Sequence, residues 1–368
     1  MLISRPASPR RAGRALASLR RASGALPPRA SRGAALLAVA ALAVAACATP
    51  TTAPSPTPTL APTPSPSANP YDGVAGGSGA GVKIGYVSFG ELVPYVFQIS
   101  EGIRAQAALA GAELVECDGK LDANAVTACM KQLSDAGVKG IIQFQGTLRD
   151  PALVCNETPS GVPALAVEFA QPPCAKTLVV ADDLRAGQIA GTAVGEWVKA
   201  KWSCTYDAYV SFESSTNAPD KSRLRMEGYQ QGFSAVCPIT NEQIGRSVDT
   251  ERLAESAMSS LLGSLAGKSR IVVVAVNDDA ALGALAAAKT AGREGDVWVS
   301  GQGAEERVRD LIRTNEHYIG DSAYFPERFG RTIVPALLDL VAGKPVPELL
   351  LIEPAWVDAT TIESIYPK

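Results

Sequence analysis

The sequence predicts an α/β protein with two lobes, each built on a parallel sheet. Short apolar runs alternate with helical segments along most of the chain, which is the pattern of a parallel sheet covered by helices on both faces. The clearest unit pairs Ile271–Val276, an unbroken apolar run with four valines, with Ala280–Ala291, which is rich in alanine and leucine. A chain of 368 residues is also long enough for two lobes with a cleft between them.

The alternation divides into two consecutive series of similar size. In the first series we predict strands at Val82–Phe89, Ala112–Cys117, Gly140–Phe144, Ala164–Phe169 and Leu178–Ala181, and helices at Tyr95–Leu109, Asp122–Ala136, Asp150–Cys155 (short and broken) and Leu184–Lys201. In the second we predict strands at Ala208–Phe212, Gln243–Val248, Ile271–Val276, Val297–Gly301, Tyr318–Tyr324 and Leu349–Val357, and helices at Lys221–Val236, Glu251–Leu265, Ala280–Ala291, Glu305–Thr314 and Pro326–Val341.

Two junctions of this pattern carry paired aspartates. Asp278 or Asp279 is expected to cap the helix that follows Ile271–Val276, and Gly292 to end it. Asp182-Asp183 stands at a similar strand-to-helix turn. Capping explains both pairs better than acid catalysis does.

Charge and histidine content exclude several classes of function. The chain has 34 basic and 37 acidic residues, but eight of the basic ones are arginines within residues 1–46, which contain no acid. The remaining 26 basic residues against 37 acidic ones argue against nucleic-acid binding, which needs a basic face. His317 is the one histidine, so sites built on several histidines and serine–histidine catalysis are disfavoured. We expect no metal and no cofactor.

The N-terminus has the features of an export signal. Residues 1–46 combine an arginine-rich stretch with the apolar run Gly33–Ala46, which is too short to cross a bilayer. The run ends at Val44-Ala45-Ala46-Cys47 and resembles the lipobox of bacterial lipoproteins, which implies that Cys47 is lipidated after cleavage. A plain signal peptide cut at a nearby Ala-x-Ala site is the alternative.

Residues 47–81 are interpreted as a linker. Ala48–Pro70 consists mainly of proline, threonine and serine and cannot bury a core. Gly73–Gly81 is glycine-rich and is expected to continue the linker flexibly. It lacks the Gly-Lys-Ser/Thr of a phosphate-binding loop and follows no strand.

Three segments in the right order resemble the type I periplasmic binding proteins of the ribose- and galactose-binding group. They are the Asn277-Asp278 strand end with its Ala-Leu-Gly-Ala helix, the crossover Ala181–Gly191, and the helix Arg223–Phe233. The resemblance implies two Rossmann-like lobes joined by three hinge crossings, with the ligand cleft between them. It places residues 82–181 and 325–352 in the N-terminal lobe, and 182–324 and 353–368 in the C-terminal lobe.

The resemblance also implies ligand-binding residues. Asn277, Arg225, Glu168 and Tyr324 stand where the family binds its solute or lines the cleft. The first three have a plainer alternative: a cap for Asn277, a solvated charge for Arg225 (with Arg223 as the competing choice), and a hinge ion pair for Glu168. Tyr95 and Phe97 are further candidates, as aromatic rings that stack on the solute or equally as core residues. Ser88 and Phe169 are candidates by their position at strand ends. Gln302 is a candidate as the substitute for an aspartate that relatives have nearby.

One departure from the family affects the choice of solute. Sugar-binding relatives usually have Gly-x-Asp after the strand that begins at Val297, whereas this chain has Gly301-Gln302-Gly303. The pocket therefore differs from a ribose site. A pentose, a hexose, a polyol and a nucleoside all remain open as solutes.

Six cysteines follow Cys47, and an even number in an exported protein indicates disulfides. Fifteen pairings are possible. Pairing between neighbours in the chain is favoured because each bond would join adjacent elements. The favoured pairs are Cys117–Cys129, Cys155–Cys174 and Cys204–Cys237.

The resemblance implies a non-enzymatic, monomeric binding lipoprotein on the outer side of a bacterial membrane. It would deliver a small polar solute, a sugar in the first instance, to an ABC permease. A sensing subunit that presents its closed form to a receptor kinase is the alternative. An α/β hydrolase is disfavoured because no Gly-x-Ser-x-Gly elbow occurs.

Overall fold

A computed structural model describes residues 69–146, 155–214, 219–245 and 247–368, which all belong to one compact unit. The predicted signal segment and Cys47 lie outside the described residues, as does most of the short helix predicted at Asp150–Cys155. Within the described part, no helix has both the length and the apolar character needed to span a membrane.

The strands of the described residues form two six-stranded sheets. They are β1 (Lys83–Ser88), β2 (Glu113–Asp118), β3 (Gly140–Gln143), β4 (Ala164–Val167), β5 (Ala175–Ala181), β6 (Ala208–Phe212), β7 (Glu242–Gly245), β8 (Ile271–Ala275), β9 (Val297–Gly303), β10 (Tyr318–Ala323), β11 (Leu349–Ile352) and β12 (Ala355–Val357). One sheet has the order β11-β5-β4-β3-β1-β2 and is wholly parallel; the other has the order β12-β10-β9-β8-β6-β7 and is parallel except for β12. We call the two halves lobe one and lobe two.

Helices cover both sheets. They are α1 (Pro94–Ala110), α2 (Ala123–Asp135), α3 (Asp183–Trp202), α4 (Pro219–Ser234), α5 (Glu251–Ser264), α6 (Asp278–Thr290), α7 (Glu306–Thr314), α8 (Gly330–Val341) and α9 (Ile362–Ile365). Helices α1 and α8 pack together on the core of lobe one, whereas α5 and α6 pack together in lobe two. The predicted two-lobed α/β fold is confirmed.

The chain passes between the sheets three times. It leaves lobe one after β5, returns after β10, and leaves again between β11 and β12. The single strand predicted at Leu349–Val357 is therefore wrong: it is two strands in different sheets, separated at Glu353-Pro354. Pro354 has no amide hydrogen to donate, which favours a break in the strand there.

Glycines allow α3 and α4 to pack backbone against backbone. A side chain at Gly187 would lie 2.1 Å from the carbonyl oxygen of Arg225, and one at Gly191 would lie 2.3 Å from that of Tyr229. Gly228, on the facing helix, is equally close to Leu184, at 2.4 Å. This close approach holds the first turns of the two helices side by side, and both turns carry residues of the cleft described below.

The helix after β8 is capped by a different residue from the one we predicted. Asn277, rather than Asp278 or Asp279, is the N-cap of α6, and its Oδ1 accepts the amide of Ala280 at 2.9 Å. Asp182 is the cap of α3, as expected, and accepts the amide of Arg185 at 3.0 Å. Asparagine and aspartate cap equally well, so the sequence alone could not select among three consecutive candidates.

The segment before β1 packs against lobe one, which corrects the flexible continuation expected for Gly73–Gly81. Gly77 donates to the carbonyl of Leu109 at 3.0 Å, at the end of α1. Asn69 Nδ2 donates to Thr332 Oγ1 at 2.8 Å, and Tyr71 donates to Asp339 at 3.1 Å. The segment that precedes β1 is therefore attached to α1 and α8 by specific hydrogen bonds.

The favoured cysteine pairing is present. Disulfides join Cys117 to Cys129, Cys155 to Cys174 and Cys204 to Cys237. The first connects β2 to α2, and the third connects the loop after α3 to the loop after α4. Each bond thus fixes neighbouring elements within one lobe and leaves the connections between lobes unconstrained.

Candidate functional site

Strand ends from both lobes meet beside the three crossings. In parallel α/β sheets the carboxyl edge is where ligands bind. In lobe one this edge carries Glu168 and the residues around it, immediately after β4. In lobe two it carries Val276 and Asn277 after β8, together with the first turns of α3 and α4. The site thus has two facing walls, one from each lobe.

Aromatic rings form the wall of lobe one. Phe89, Phe144 and Phe169 each follow a different strand of the first sheet. The ring centroids of Phe89 and Phe169 are 5.6 Å apart, and Phe144 lies 5.9 Å from Phe89 and 6.4 Å from Phe169. Neighbouring rings at these distances make a continuous apolar surface. Sequence analysis named Phe169 alone, although the other two occupy equivalent strand-end positions.

Glu168 sits beside this wall in an unusual backbone conformation. Its φ is +62°, which residues with a side chain rarely adopt. Its Oε1 accepts the hydroxyl of Tyr95 at 3.1 Å and the amide of Ala181 at 3.3 Å, and its Oε2 pairs with the ammonium of Lys221. The strained turn thus aims the carboxylate towards the hinge and towards lobe two.

Arg225 lies at the centre of the lobe two wall. Its Nε donates to Asp183 Oδ1 at 2.7 Å and its Nη1 donates to the carbonyl of Val276 at 3.1 Å. The guanidinium stands over the ring of Tyr324, with 4.4 Å between its central carbon and the ring centroid. These contacts fix the plane of the fork, and they show that Arg225 is not a solvated helix charge.

Lys221 and Asp183 belong to the same array, and sequence analysis did not identify either as a cleft residue. Lys221 Nζ donates to Asp183 Oδ2 at 3.1 Å as well as to Glu168. Burial lowers the pKa of the Lys221 ammonium, but the charges of Glu168 and Asp183 outweigh it and raise the pKa above the ordinary value. The lysine is therefore charged at neutral pH, and the array holds two cations and two carboxylates.

A signal for Lys221 was present in the sequence. Lys221 and Arg225 are four residues apart and so lie on one face of a helix. Asp183 was assigned to capping because it follows Asp182, and only the packing of α3 on α4 shows that its side chain faces the two cations.

Tyr324 and Gln302 meet where β9 and β10 end. The hydroxyl of Tyr324 donates to Gln302 Oε1 at 2.7 Å, and both side chains are buried. The Nε2 of Gln302 has no hydrogen-bond partner among the described residues. Burial raises the pKa of the Tyr324 hydroxyl, and likewise that of Tyr95, well above the usual range, so both are neutral donors.

The remaining predicted residues are more dispersed. Asn277 donates from Nδ2 to the carbonyl of Asp249 at 2.9 Å, so its amide already serves both the cap and a loop. Ser88 is buried and donates to Asp118 at 3.2 Å. Phe97 is 47% exposed, and the ring of Tyr95 packs edge-on against Phe329. Ser88 and Asn277 thus lie at strand ends with their hydrogen bonds made, and Phe97 is separate from the aromatic wall.

The missing aspartate of the Gly-x-Asp pattern has a local explanation. A side chain at Gly303 would lie 2.7 Å from Asp278 Oδ2, and one at Gly301 would lie 2.9 Å from Asp278 Oδ1 and 2.8 Å from Asp321 Oδ2. The two glycines leave room for this buried acidic pair below the wall of lobe two. Burial raises the pKa of Asp278, and burial together with the charge of Asp278 raises that of Asp321 well above its usual range.

The fold and the cleft define a class of protein in which two α/β lobes are joined by three crossings of the chain, and an apolar wall faces a hydrogen-bonding wall. No group of three or more acidic, histidine or cysteine residues in the described ranges could hold a metal ion. The sequence profile of the periplasmic binding protein domain matches residues 84–345, and the chain belongs to that family. The predicted family is confirmed. A search of curated proteins gave no match.

Solved structures that share the fold include three solute-binding proteins of ABC transporters. An ABC transporter solute-binding protein from Actinobacillus succinogenes with bound D-allose is 15% identical, with TM-score 0.65, covering 77% of this chain and 99% of that one. One from Mycobacterium smegmatis with bound glycerol is 22% identical, with TM-score 0.66 and coverage of 79% and 98%. One from Bacillus halodurans with bound myo-inositol is 18% identical, with TM-score 0.63 and coverage of 78% and 98%.

Proposed function

We propose that this protein is the extracytoplasmic substrate-binding lipoprotein of an ABC importer and binds a small neutral polyhydroxy solute, a sugar or polyol, between its lobes. The observation that carries the proposal is the pairing of walls. The rings around Phe169 face the polar wall built on Arg225 and Asp183 across the cleft. Aromatic rings stack on the apolar faces of sugars, and fixed polar groups select hydroxyl positions.

The charge of the site supports a neutral solute. Two cations and two carboxylates, Lys221, Arg225, Glu168 and Asp183, are bonded to one another. A charged solute would disturb this balance inside a buried site at high cost, whereas hydroxyl groups can join it as both donors and acceptors. Neutral sugars and polyols are also the bound molecules of the structural neighbours.

The direct solute contacts belong to the same proposal. We assign them to Arg225, Glu168, Phe169 and Tyr95, with Tyr324 and Gln302 closing the site on the hinge side. Ser88 and Asn277 support the strand ends, and Phe97 is left as the weakest candidate because half of its ring is exposed.

Location and delivery rest on the family and on the sequence. The signal-like N-terminus and Cys47 support export and lipid anchoring, and the family supports a place outside the cytoplasm. The lobes are proposed to comprise residues 82–181 with 325–352, and 182–324 with 353–368. A solute that binds both lobes favours the closed form, which a permease would then recognise. No chemistry is performed on the solute.

The test is a thermal-shift screen of the purified protein against pentoses, hexoses, polyols, nucleosides and amino acids. A molecule that binds only the folded state raises the melting temperature, and the increase grows as its concentration exceeds the dissociation constant. We expect a concentration-dependent increase with one or a few neutral sugars or polyols. A shift with amino acids or nucleosides alone would contradict the proposed solute class.

A further inference from the structure

Among the residues that the structure describes, one ion pair connects the two lobes directly. Glu168 follows β4 of lobe one, whereas Lys221 and Asp183 begin helices of lobe two. The Lys221 ammonium bonds both carboxylates, so a single side chain joins the lobes across the cleft. The side chains of Glu168 and Asp183 are only 6% and 4% exposed, and that of Lys221 is 16% exposed. This link is therefore shielded from water and differs from the many ion pairs on the surface.

Lys221 also covers part of the aromatic wall. Its ammonium lies 5.8 Å from the centroid of the Phe169 ring, within the range of a cation–π contact. Phe169 and the Oε2 atom of Glu168 are the surfaces that a polyhydroxy solute would use in lobe one. A solute that takes either of them has to move the lysine aside.

The neighbouring groups hold the lysine in this place. The backbone of Glu168 is fixed in its rare conformation by the bond from its amide to the carbonyl of Val179, at 2.8 Å. Asp183 is fixed by Arg225, at 2.7 Å, and by the close packing of α3 on α4. The two carboxylates are thus preorganised, and the flexible four-carbon stem of Lys221 is the part of the link that can move.

We propose that Lys221 is a latch: it holds the lobes together through Glu168 when no solute is bound, and an incoming solute displaces it. In the solute-free protein, the ammonium of Lys221 occupies the position that a solute hydroxyl takes after binding. This inference rests on the proposed function in one respect, that the cleft is the solute site. A latch reduces the fraction of molecules that are open to solute, so it lowers the apparent affinity and slows association.

The experiment measures the distance between the lobes without solute. Fluorophores on unnatural amino acids at Lys131 in lobe one and Ser259 in lobe two, both exposed, leave the six cysteines untouched. The protein is used as it is exported and processed by an expressing bacterium. We compare Lys221→Met with the wild-type protein by single-molecule energy transfer. The control is Arg223→Met. Arg223 is an exposed cation on the same helix as Lys221, and it pairs with Glu227 rather than with lobe one.

The latch predicts a clear ordering of results. Lys221→Met shifts the solute-free distance distribution towards longer distances, whereas Arg223→Met leaves it unchanged. Glu168→Gln gives the same shift as Lys221→Met, and the double variant gives no further shift. With a solute from the thermal-shift screen, Lys221→Met increases the association rate at least threefold.

Two results would overturn the latch. The first is an unchanged solute-free distance distribution in both Lys221→Met and Glu168→Gln, with melting curves showing that the variants are folded. The second is a loss of solute affinity of more than tenfold in Lys221→Met, because the lysine would then be a solute contact rather than a competitor. The distance measurement needs no solute, so it decides on the latch even if the proposed solute class is wrong.

Discussion

The two walls of the cleft are built by opposite means. In lobe one, the rings of Phe89, Phe144 and Phe169 follow three strands of one sheet and touch one another through apolar surface. In lobe two, Asp183 and Arg225 come from two helices and depend on a buried ion pair. An apolar wall tolerates the loss of one ring, whereas a buried charge that loses its partner is costly. Solute binding and folding should therefore be separable in lobe one and coupled in lobe two.

The largest effect is expected for Arg225→Ala. The substitution leaves the Asp183 carboxylate and the carbonyl of Val276 without their guanidinium donor. We expect solute affinity to fall more than tenfold and the free energy of unfolding to fall by about 3–5 kcal/mol. Calorimetry and urea unfolding measure both quantities. Arg223→Ala is the control and should change neither. If Arg225→Ala binds as the wild type does, then the wall of lobe two is not a binding surface.

Phe169→Ala tests the other wall with a smaller effect. The ring is half-buried and shares its surface with two neighbours. We expect a loss of binding free energy of about 1–2 kcal/mol, with a smaller change in stability than Arg225→Ala. Phe97→Ala is a matched aromatic control, since that ring is 47% exposed. Equal losses of affinity in the two variants would show that the aromatic cluster is not the stacking surface and would restore Phe97 as a candidate.

The smallest effect concerns the acidic pair beneath the wall of lobe two. The pKa of Asp278 and that of Asp321 are raised by burial. Groups of this kind stabilise the fold below the unfolded pKa of about 3.9 and lose that contribution as the pH rises through the folded pKa. Asp278→Asn should therefore raise the free energy of unfolding by roughly 1 kcal/mol at pH 7–8, with the gain disappearing towards pH 4.

Melting curves across this pH range measure the gain. Asp279→Asn is the control, because that residue is adjacent in sequence but pairs with Arg307 on the surface, and it should give no gain at any pH. A lower melting temperature for Asp278→Asn at every pH would mean that the pair is stabilising as it stands.

The fold was predictable because its signals are local. Apolar runs such as Ile271–Val276 and helix stops such as Gly292 depend on neighbouring residues alone. The order of the two series does not by itself determine the lobes, because β11 comes from the second series and pairs in the sheet of lobe one. The split of Leu349–Val357 was missed because both halves are apolar and only Pro354 marks the break.

The site was predictable only in part because its contacts are long-range. Arg225 was found through the family pattern, but its partner Asp183 is 42 residues away and looked like a second capping residue. Lys221 was not identified because its contact with Glu168, 53 residues distant, depends on the packing of α3 on α4. Phe89 and Phe144 were missed because single aromatic residues after strands are equally compatible with a core.

The hydrogen bonds of residues 69–81 have a mechanical consequence. Asn69, Tyr71 and Gly77 are attached to α1 and α8, which both belong to lobe one. A pull along the chain that precedes Asn69 is therefore borne by lobe one, and it reaches neither lobe two nor the three crossings. With the lipid anchor proposed at Cys47, lobe one would be the lobe held at the membrane and lobe two the lobe that moves, so tension on that anchor would leave the opening and closing of the cleft undisturbed.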